Sequence, residues 1–166
     1  MGNSGIGKFS STELSKQLSG KSAWASVGTA SYEHAVNAGG SPKDIETILQ
    51  LMYLNFTSPR FDQTDLDNMK KMYIPYFTNM ESDPNYICSK ELQKTLYGNN
   101  PRRQATSVAQ IEALNIPALQ NVHAKLFSFA DDFRFIIAGN VDLNTLKPLV
   151  EKYIGSLPTS KNVEYA

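Results

Sequence analysis

Two histidines and a single cysteine are the residues of this 166-residue chain that most often bind metal or act as nucleophiles. The segment Ala30-Ser-Tyr-Glu-His34 has the spacing of the zinc-binding pattern His-x-x-Glu-His, with alanine in place of the first histidine. That pattern works only on a helix, where residues four positions apart share a face. Because the surrounding residues alternate as in a strand, we interpret His34 as an ordinary, half-exposed strand residue.

The remaining candidates for catalysis also favour structural roles. His123 falls in a helix predicted over residues 117–128, with no second histidine or carboxylate one turn away. Cys88 falls in the first turns of another helix, and no neighbouring histidine could activate it, so we expect an inert, partly buried thiol. Three glutamates lie on separate elements without an evident acid–base partner: Glu13, Glu46 and Glu112. The sequence therefore predicts no catalytic and no metal-binding residue.

The basic pair Arg102 and Arg103 follows the turn Gly98-Asn-Asn-Pro101. Guanidinium groups bind carboxylates and phosphates, so this pair could hold an anionic ligand. Exposed arginines in a loop also pair with a neighbouring domain. We favour domain docking for Arg102 and Arg103 and keep ligand binding as the alternative.

Composition narrows the classes of partner. The chain has 16 basic and 16 acidic residues, so it lacks the positive surplus expected for binding nucleic acid. Its longest apolar runs fall far short of the ~20 residues needed to span a membrane. One cysteine excludes an internal disulfide. The start of the chain shows no signal peptide and leads directly into a helix, so we expect a fragment of a longer protein.

Helix caps and hydrophobic periodicity predict the elements that position these residues. Ser10 and Glu13 form a capping box that opens a helix ending near Gly20. Alternation from Ala23 to Gly39 predicts two antiparallel strands with a tight connection. Helices are predicted at residues 41–57, 62–80 with a kink or break at Pro75, 83–97, 107–114, 117–127 and 142–154, and a third strand at 133–138. So few strands for so many helices suggest that further strands lie upstream.

Four segments in the same order resemble one family of peptidases. They are Gly5-Ile-Gly-Lys-Phe-Ser-Ser-Thr-Glu-Leu14, Gly40-Ser-Pro-Lys-Asp-Ile-Glu-Thr-Ile-Leu-Gln-Leu51, Leu96-Tyr-Gly-Asn-Asn-Pro-Arg-Arg103, and the unit from Phe135-Ile-Ile-Ala-Gly-Asn-Val-Asp142 to Leu146-Lys-Pro-Leu-Val-Glu-Lys-Tyr-Ile-Gly-Ser-Leu-Pro158. Together they resemble the pitrilysin/insulysin-like zinc metallopeptidases, which include the mitochondrial processing peptidases. The similarity is closest to the large bacterial zinc peptidases built from two similar halves.

This resemblance implies an α+β fold of the processing-peptidase type, an α/β roll in which an antiparallel sheet carries helices mainly on one face. It further implies that residues 1–166 form a single, inactive domain from the second half of such an enzyme. In the catalytic half, a later helix supplies a third zinc ligand. Aligning Phe61-Asp-Gln-Thr-Asp-Leu66 with the start of that helix puts the ligand position near Tyr76, and no Asp or Glu occurs between Asp67 and Glu81. We therefore expect no zinc in this segment.

The resemblance also implies partners. The catalytic half of the same parent chain would hold the zinc and dock against this domain, and both would contact a peptide substrate. In the catalytic half of such enzymes, the strand that matches residues 23–28 adds the substrate as an extra strand. The corresponding residues here are Trp24, Ser26 and Gly28, and a purely structural edge is the simpler interpretation. A stand-alone peptide-binding module and a directly catalytic zinc peptidase are the alternative functions.

Overall fold

The computed structural model describes residues 4–30, 32–98 and 100–160. Its contacts divide the chain into two compact units, with unit 1 comprising residues 1–60 and 121–166 and unit 2 comprising residues 61–120. The elements in chain order are α1 (Ser11–Gln17), β1 (Ala23–Thr29), β2 (His34–Gly40), α2 (Ile45–Thr57), α3 (Gln63–Met80), α4 (Pro84–Tyr97), α5 (Val108–Ala113), α6 (Ile116–Phe127) and α7 (Leu143–Tyr153). Short 3-10 turns precede α2 and α5.

Unit 1 is built on an antiparallel hairpin, β1 paired with β2, whose one face packs against α2. Among the described residues these two strands form the whole sheet. Val27 pairs with Val36 and Ala25 with Ala38, and these apolar side chains point towards the helix. The buried core that they cover consists of Leu49, Met52, Phe56, Phe127, Tyr153 and Leu157. The fold is the predicted α+β type, with an antiparallel sheet and helices against one face.

Local signals correctly predicted where α1 and α7 begin, whereas α2 begins at Ile45, after a 3-10 turn, rather than at Ser41. The Ser10 hydroxyl accepts a hydrogen bond from the backbone N–H of Glu13, whose carboxylate in turn accepts one from the backbone N–H of Ser10. This capping box satisfies two donors that the first turn of α1 would otherwise leave free. At α7 the carboxylate of Asp142 accepts a hydrogen bond from the backbone N–H of Thr145 at 3.0 Å, so that helix begins where the sequence predicted.

Unit 2 contains α3, α4, α5 and the start of α6. Helix α3 packs against α5, and Leu66 and Ile111 are the buried hydrophobic side chains of these two helices. The Lys70 ammonium donates a hydrogen bond to the Glu112 carbonyl at 2.8 Å and ties the same two helices together. The predicted break at Pro75 does not occur. A proline removes one backbone donor, but α3 continues through it to Met80.

The third predicted strand, at residues 133–138, is wrong. The structure assigns this segment no strand, although the rings of Phe133 and Phe135 pack beside Phe56 at centroid distances of 5.0 and 6.1 Å. Ile136 is 81% exposed. An apolar segment becomes a strand only by hydrogen bonding to a neighbour, and no described strand pairs with this one.

Candidate functional site

The two histidines lie apart from any arrangement that could hold zinc. His34 is the exposed first residue of β2, so it lies on a strand rather than on the helix that zinc binding requires. His123 is buried in α6, where its Nε2–H donates to the Asn55 carbonyl at 2.9 Å. Because a carbonyl oxygen only accepts hydrogen bonds, this contact fixes the tautomer with the proton on Nε2. Both histidines have the structural positions that the sequence predicted.

Helix α3 presents an aromatic side chain where the third zinc ligand was expected. Tyr76 is 56% exposed, and its ring packs edge-on against Phe77 at a centroid distance of 5.3 Å. The helix is continuous from Gln63 to Met80 and contains no carboxylate after Asp67. Within residues 4–30, 32–98 and 100–160, no group of three or more His, Cys, Asp or Glu side chains could hold a metal ion. The residues present therefore do not fit the zinc site of the family.

Cys88 requires a correction, because its thiol is exposed rather than partly buried. The reason is that α4 buries none of its described side chains. Helical periodicity places Cys88 on one stripe with Leu92 and Leu96, which are 56% and 65% exposed. The exposure of this apolar stripe is not evident in the sequence, because apolar residues at helical spacing ordinarily indicate a buried face. We call Cys88, Leu92 and Leu96 the α4 stripe.

The hairpin offers a candidate peptide-binding edge, and two hydrogen bonds fix its orientation. The Ser41 N–H donates to the Ser22 carbonyl at one end of the ladder, and the Ala30 N–H donates to the Glu33 carbonyl at the other, each at 2.8 Å. Hydrogen-bonded pairs alternate with non-hydrogen-bonded pairs in an antiparallel ladder. The register therefore makes the following pairs hydrogen-bonded: Trp24 with Gly39, Ser26 with Asn37, and Gly28 with Ala35.

The backbone groups of β1 that point away from β2 consequently belong to the intervening residues, Ala23, Ala25, Val27 and Thr29. No described strand pairs with them. The backbone N–H and C=O groups of the predicted residues Trp24, Ser26 and Gly28 pair with β2 and are not available to a peptide. Their side-chain positions lie on the open face of the sheet. Peptide binding at β1 stays a prediction, but its donors and acceptors can now be named.

Trp24 is the dominant side chain of that open face. It is 54% exposed, and its ring lies over Gly39 of the neighbouring strand. A Cβ atom on Gly39 would come within 3.2 Å of the indole, closer than ordinary contact. The glycine therefore leaves room for the ring to lie across β2, on the open face of the hairpin and away from the outer edge of β1.

The two arginines occupy different surroundings in unit 2. They lie in the turn after α4, where the Asn100 side chain accepts a hydrogen bond from the Arg102 backbone N–H at 3.0 Å. The Arg103 guanidinium lies over the Tyr97 ring, 5.3 Å from its centroid. Arg103 also lines a surface cleft of about 280 Å³, whereas Arg102 does not. Both are exposed, and their predicted role in domain docking stays a prediction.

No described helix is both long enough and apolar enough to cross a membrane. No family model matches the chain. The probable zinc protease PqqL of Escherichia coli (strain K12) is 23% identical over 159 residues, which cover 95% of this chain and 17% of that protein. The probable zinc protease PqqL of Haemophilus influenzae is 23% identical over 124 residues, which cover 75% of this chain and 13% of that protein. The chain thus spans less than a fifth of the length of these curated relatives.

Solved structures share the fold over nearly the whole chain. The periplasmic protease PqqL from Escherichia coli matches 99% of this chain with a TM-score of 0.82 and 21% identity, over 18% of its own length. The peptidase M16 inactive domain from Pseudomonas fluorescens matches 99% with a TM-score of 0.69 and 21% identity, over 41% of its own length. The chain is therefore homologous to one part of the PqqL zinc proteases, and its fold is that of the pitrilysin-like metallopeptidases.

Proposed function

We propose that this chain is a non-catalytic partner domain of a zinc-dependent metalloendopeptidase and helps to form the chamber that binds the peptide. One observation carries the proposal: the fold is that of these peptidases, yet α3 has no carboxylate after Asp67 at which the third zinc ligand could lie. The similarity to a peptidase M16 inactive domain supports the same conclusion. The zinc and the activated water belong to the catalytic half of the parent chain.

The outer edge of β1 is the part of unit 1 suited to hold a peptide. An extended peptide would hydrogen-bond to the outward N–H and C=O groups of Ala25 and Val27, which depend on the backbone alone and accept many sequences. Trp24 lies on the adjacent open face with its ring over Gly39 of β2, so the outward backbone groups of β1, rather than this side chain, would hold the peptide. The peptide would thus be held in the extended form that a peptidase cleaves.

Docking to the catalytic half would use the exposed surface of unit 2. The α4 stripe presents two large apolar side chains, Leu92 and Leu96, that no described residue buries. Apolar side chains clustered in this way on a soluble domain typically mark a contact surface. Arg102, in the turn after the same helix, would add a charged contact at the rim.

The test uses the full-length protein that contains this chain. The coding sequence upstream should contain His-x-x-Glu-His, and the purified protein should hold zinc and cleave unstructured peptides. In that protein Ala25→Pro removes one outward N–H from β1, and we expect kcat/KM to fall on the order of tenfold, the effect of about one backbone hydrogen bond. Ala25→Val is the matched control, since it changes the same side chain and keeps the donor.

Three results would contradict the proposal. If the full-length protein has no upstream zinc motif, the catalytic half that the proposal requires does not exist. Stoichiometric zinc in the isolated chain, lost on His34→Ala or His123→Ala, makes the domain a metal site. Equal cleavage by the Ala25→Pro and Ala25→Val proteins, both correctly folded by circular dichroism, rejects the peptide-binding edge while leaving the non-catalytic role in place.

A further inference from the structure

A cleft of about 280 Å³ opens on unit 2 between the C-terminal half of α4, the turn that follows and the start of α5. Three cationic side chains line it, Lys90, Lys94 and Arg103, against one carboxylate, Glu91. The chain as a whole carries no net charge. A cleft with a local positive surplus in a neutral protein concentrates anionic groups.

Backbone and side-chain hydrogen bonds set the shape of this cleft. The Tyr86 hydroxyl donates to the Thr106 carbonyl at 3.2 Å and ties the segment before α5 to α4. In the turn, the Asn100 N–H donates to the Tyr97 carbonyl at 3.0 Å. Ser107 and Gln110 form a capping box that fixes the start of α5. These hydrogen bonds hold the backbone of the walls before any ligand arrives, so the ordering cost of binding falls mainly on the side chains that line the cleft.

The lysine charges lie together on the wall that α4 contributes. Lys90 and Lys94 are four residues apart, so they lie on the same face of the helix. Within the part of the chain that the structure describes, neither has an ion-pair partner. The C-terminal end of a helix carries about half a negative charge, which offsets only part of their charge. The cationic side chains therefore dominate the potential in the cleft.

The geometry points to a binding site for an acidic peptide segment, with Lys90 and Lys94 holding its carboxylates. Arg103, positioned over the Tyr97 ring, would add a forked guanidinium contact. The amide of Gln93 lines the same cleft and can bind the peptide backbone. The choice of a peptide over free phosphate rests on the proposed function, because a domain that lines a peptide chamber meets peptides.

The test measures fluorescence anisotropy of two labelled peptides on the whole 166-residue chain. One is an unstructured peptide rich in Asp and Glu, and the other has Asn and Gln at the same positions. We expect the acidic peptide to bind on the order of tenfold more tightly at low ionic strength, with the preference decreasing as salt is added. Lys90→Gln/Lys94→Gln should abolish the preference. Lys71→Gln/Lys147→Gln is the matched control, because it removes two exposed helical lysines outside the cleft.

Three outcomes would overturn this inference. The first is an equal affinity for both peptides, and the second is a preference that survives in the cleft variant but is lost in the control. The third is displacement of the acidic peptide by an equal concentration of inorganic phosphate, which would make the cleft a phosphate site. None of these readouts involves zinc or cleavage, so the proposed function could stand while this inference fails. Conversely, if the chain bound zinc and cleaved peptides but kept its preference for the acidic peptide, the proposed function would fail and this inference would stand.

Discussion

Phe127 is the most deeply buried large side chain that the structure describes, and the rings of both histidines lie beside it. The centroid distances are 6.1 Å for His34 and 5.4 Å for His123. In a zinc peptidase, histidines extend from one helix face towards the metal. Here they come from a strand and a helix and pack against an aromatic ring of the core. The residue type most typical of zinc chemistry therefore stabilises the fold of unit 1.

Truncating a single core residue should show how much the buried core contributes to the stability of unit 1. Leu49 is 3% exposed within the cluster that α2 shares with the hairpin and α7. Leu49→Ala should lower the free energy of unfolding by about 2–5 kcal/mol, because the lost methyl groups leave a cavity. Urea unfolding followed by circular dichroism measures this change. Leu96→Ala is the control on an exposed site and should change stability by less than about 0.5 kcal/mol. Similar losses for both variants would contradict the burial described.

Glu46 gives a prediction for the dependence of stability on pH. Its carboxylate accepts hydrogen bonds from the Lys152 ammonium at 3.0 Å and the Tyr153 hydroxyl at 2.8 Å. The Lys152 hydrogen bond first, and the Tyr153 hydrogen bond next, hold the pKa of Glu46 below its ordinary value of 4.5. A lowered folded-state pKa adds stability above the ordinary value, and this stability is lost as the pH falls through the folded-state pKa.

The native chain should therefore lose more stability than Glu46→Gln on acidification from about pH 7 to about pH 3.5. Urea midpoints at the two pH values provide the measurement. Glu151→Gln, on the exposed surface of α7, controls for the loss of one carboxylate and should behave like the native chain. If Glu46→Gln and the native chain respond equally to acid, the hydrogen bonds to Lys152 and Tyr153 do not stabilise the fold.

Among the elements, β1 allows a test of strand register that does not depend on function. The Ala25 N–H points away from β2, whereas the Ser26 N–H points towards it. Proline is tolerated on a strand where the missing N–H faces outward. We expect Ala25→Pro to keep the circular dichroism spectrum and most of the stability of the native chain. Ser26→Pro should break the hairpin and lower the melting temperature clearly more. If Ala25→Pro were the less stable of the two variants, the outward N–H groups of β1 would belong to Trp24, Ser26 and Gly28 instead.

Helix α3 leads to the prediction that the isolated chain binds no zinc specifically. Its surface offers Tyr76 where a carboxylate would be needed, and the two histidines occupy separate elements. Metal analysis of tag-free protein after dialysis should find far less than one zinc per chain. Unstructured peptides should also survive long incubation with it, because no described cluster of side chains could hold a metal ion to activate water. Cleavage that is abolished by a chelator and persists through repeated purification would contradict this.

The elements that the sequence predicted correctly are those that local interactions determine. The capping boxes at Ser10 and Ser107 and the left-handed Gly98 after α4 mark helix ends without any long-range contact. Residues 133–138 have a strand sequence but no described partner, and strand pairing is a long-range property. The cleft of unit 2 is likewise not evident in the sequence, because the fold of the turn after α4 brings Arg103 to the two lysines of that helix.

On the scale of the whole molecule, substitutions in the turn after α4 test the proposed docking to the catalytic half. Arg102 and Arg103 are exposed, so replacing both with Gln should leave the unfolding free energy nearly unchanged. The same change should weaken association with the separately produced catalytic half, measured by peptide cleavage on mixing. Single substitutions then separate two roles, because only Arg103 lines the cleft. If the double variant restores cleavage as well as the native chain, this turn does not form the docking contact.

Trp24 is the sole tryptophan of the chain, and it lies half exposed over Gly39 on the open face of the hairpin. An indole in water emits at longer wavelength than one covered by apolar groups, so intrinsic fluorescence of this protein reports one known position. A ligand that covers the open face of the hairpin would shift the emission to shorter wavelength, because it would replace water around the indole. The chain thus carries its own optical probe, and unlabelled ligands can be tested for contact with this face by titration alone.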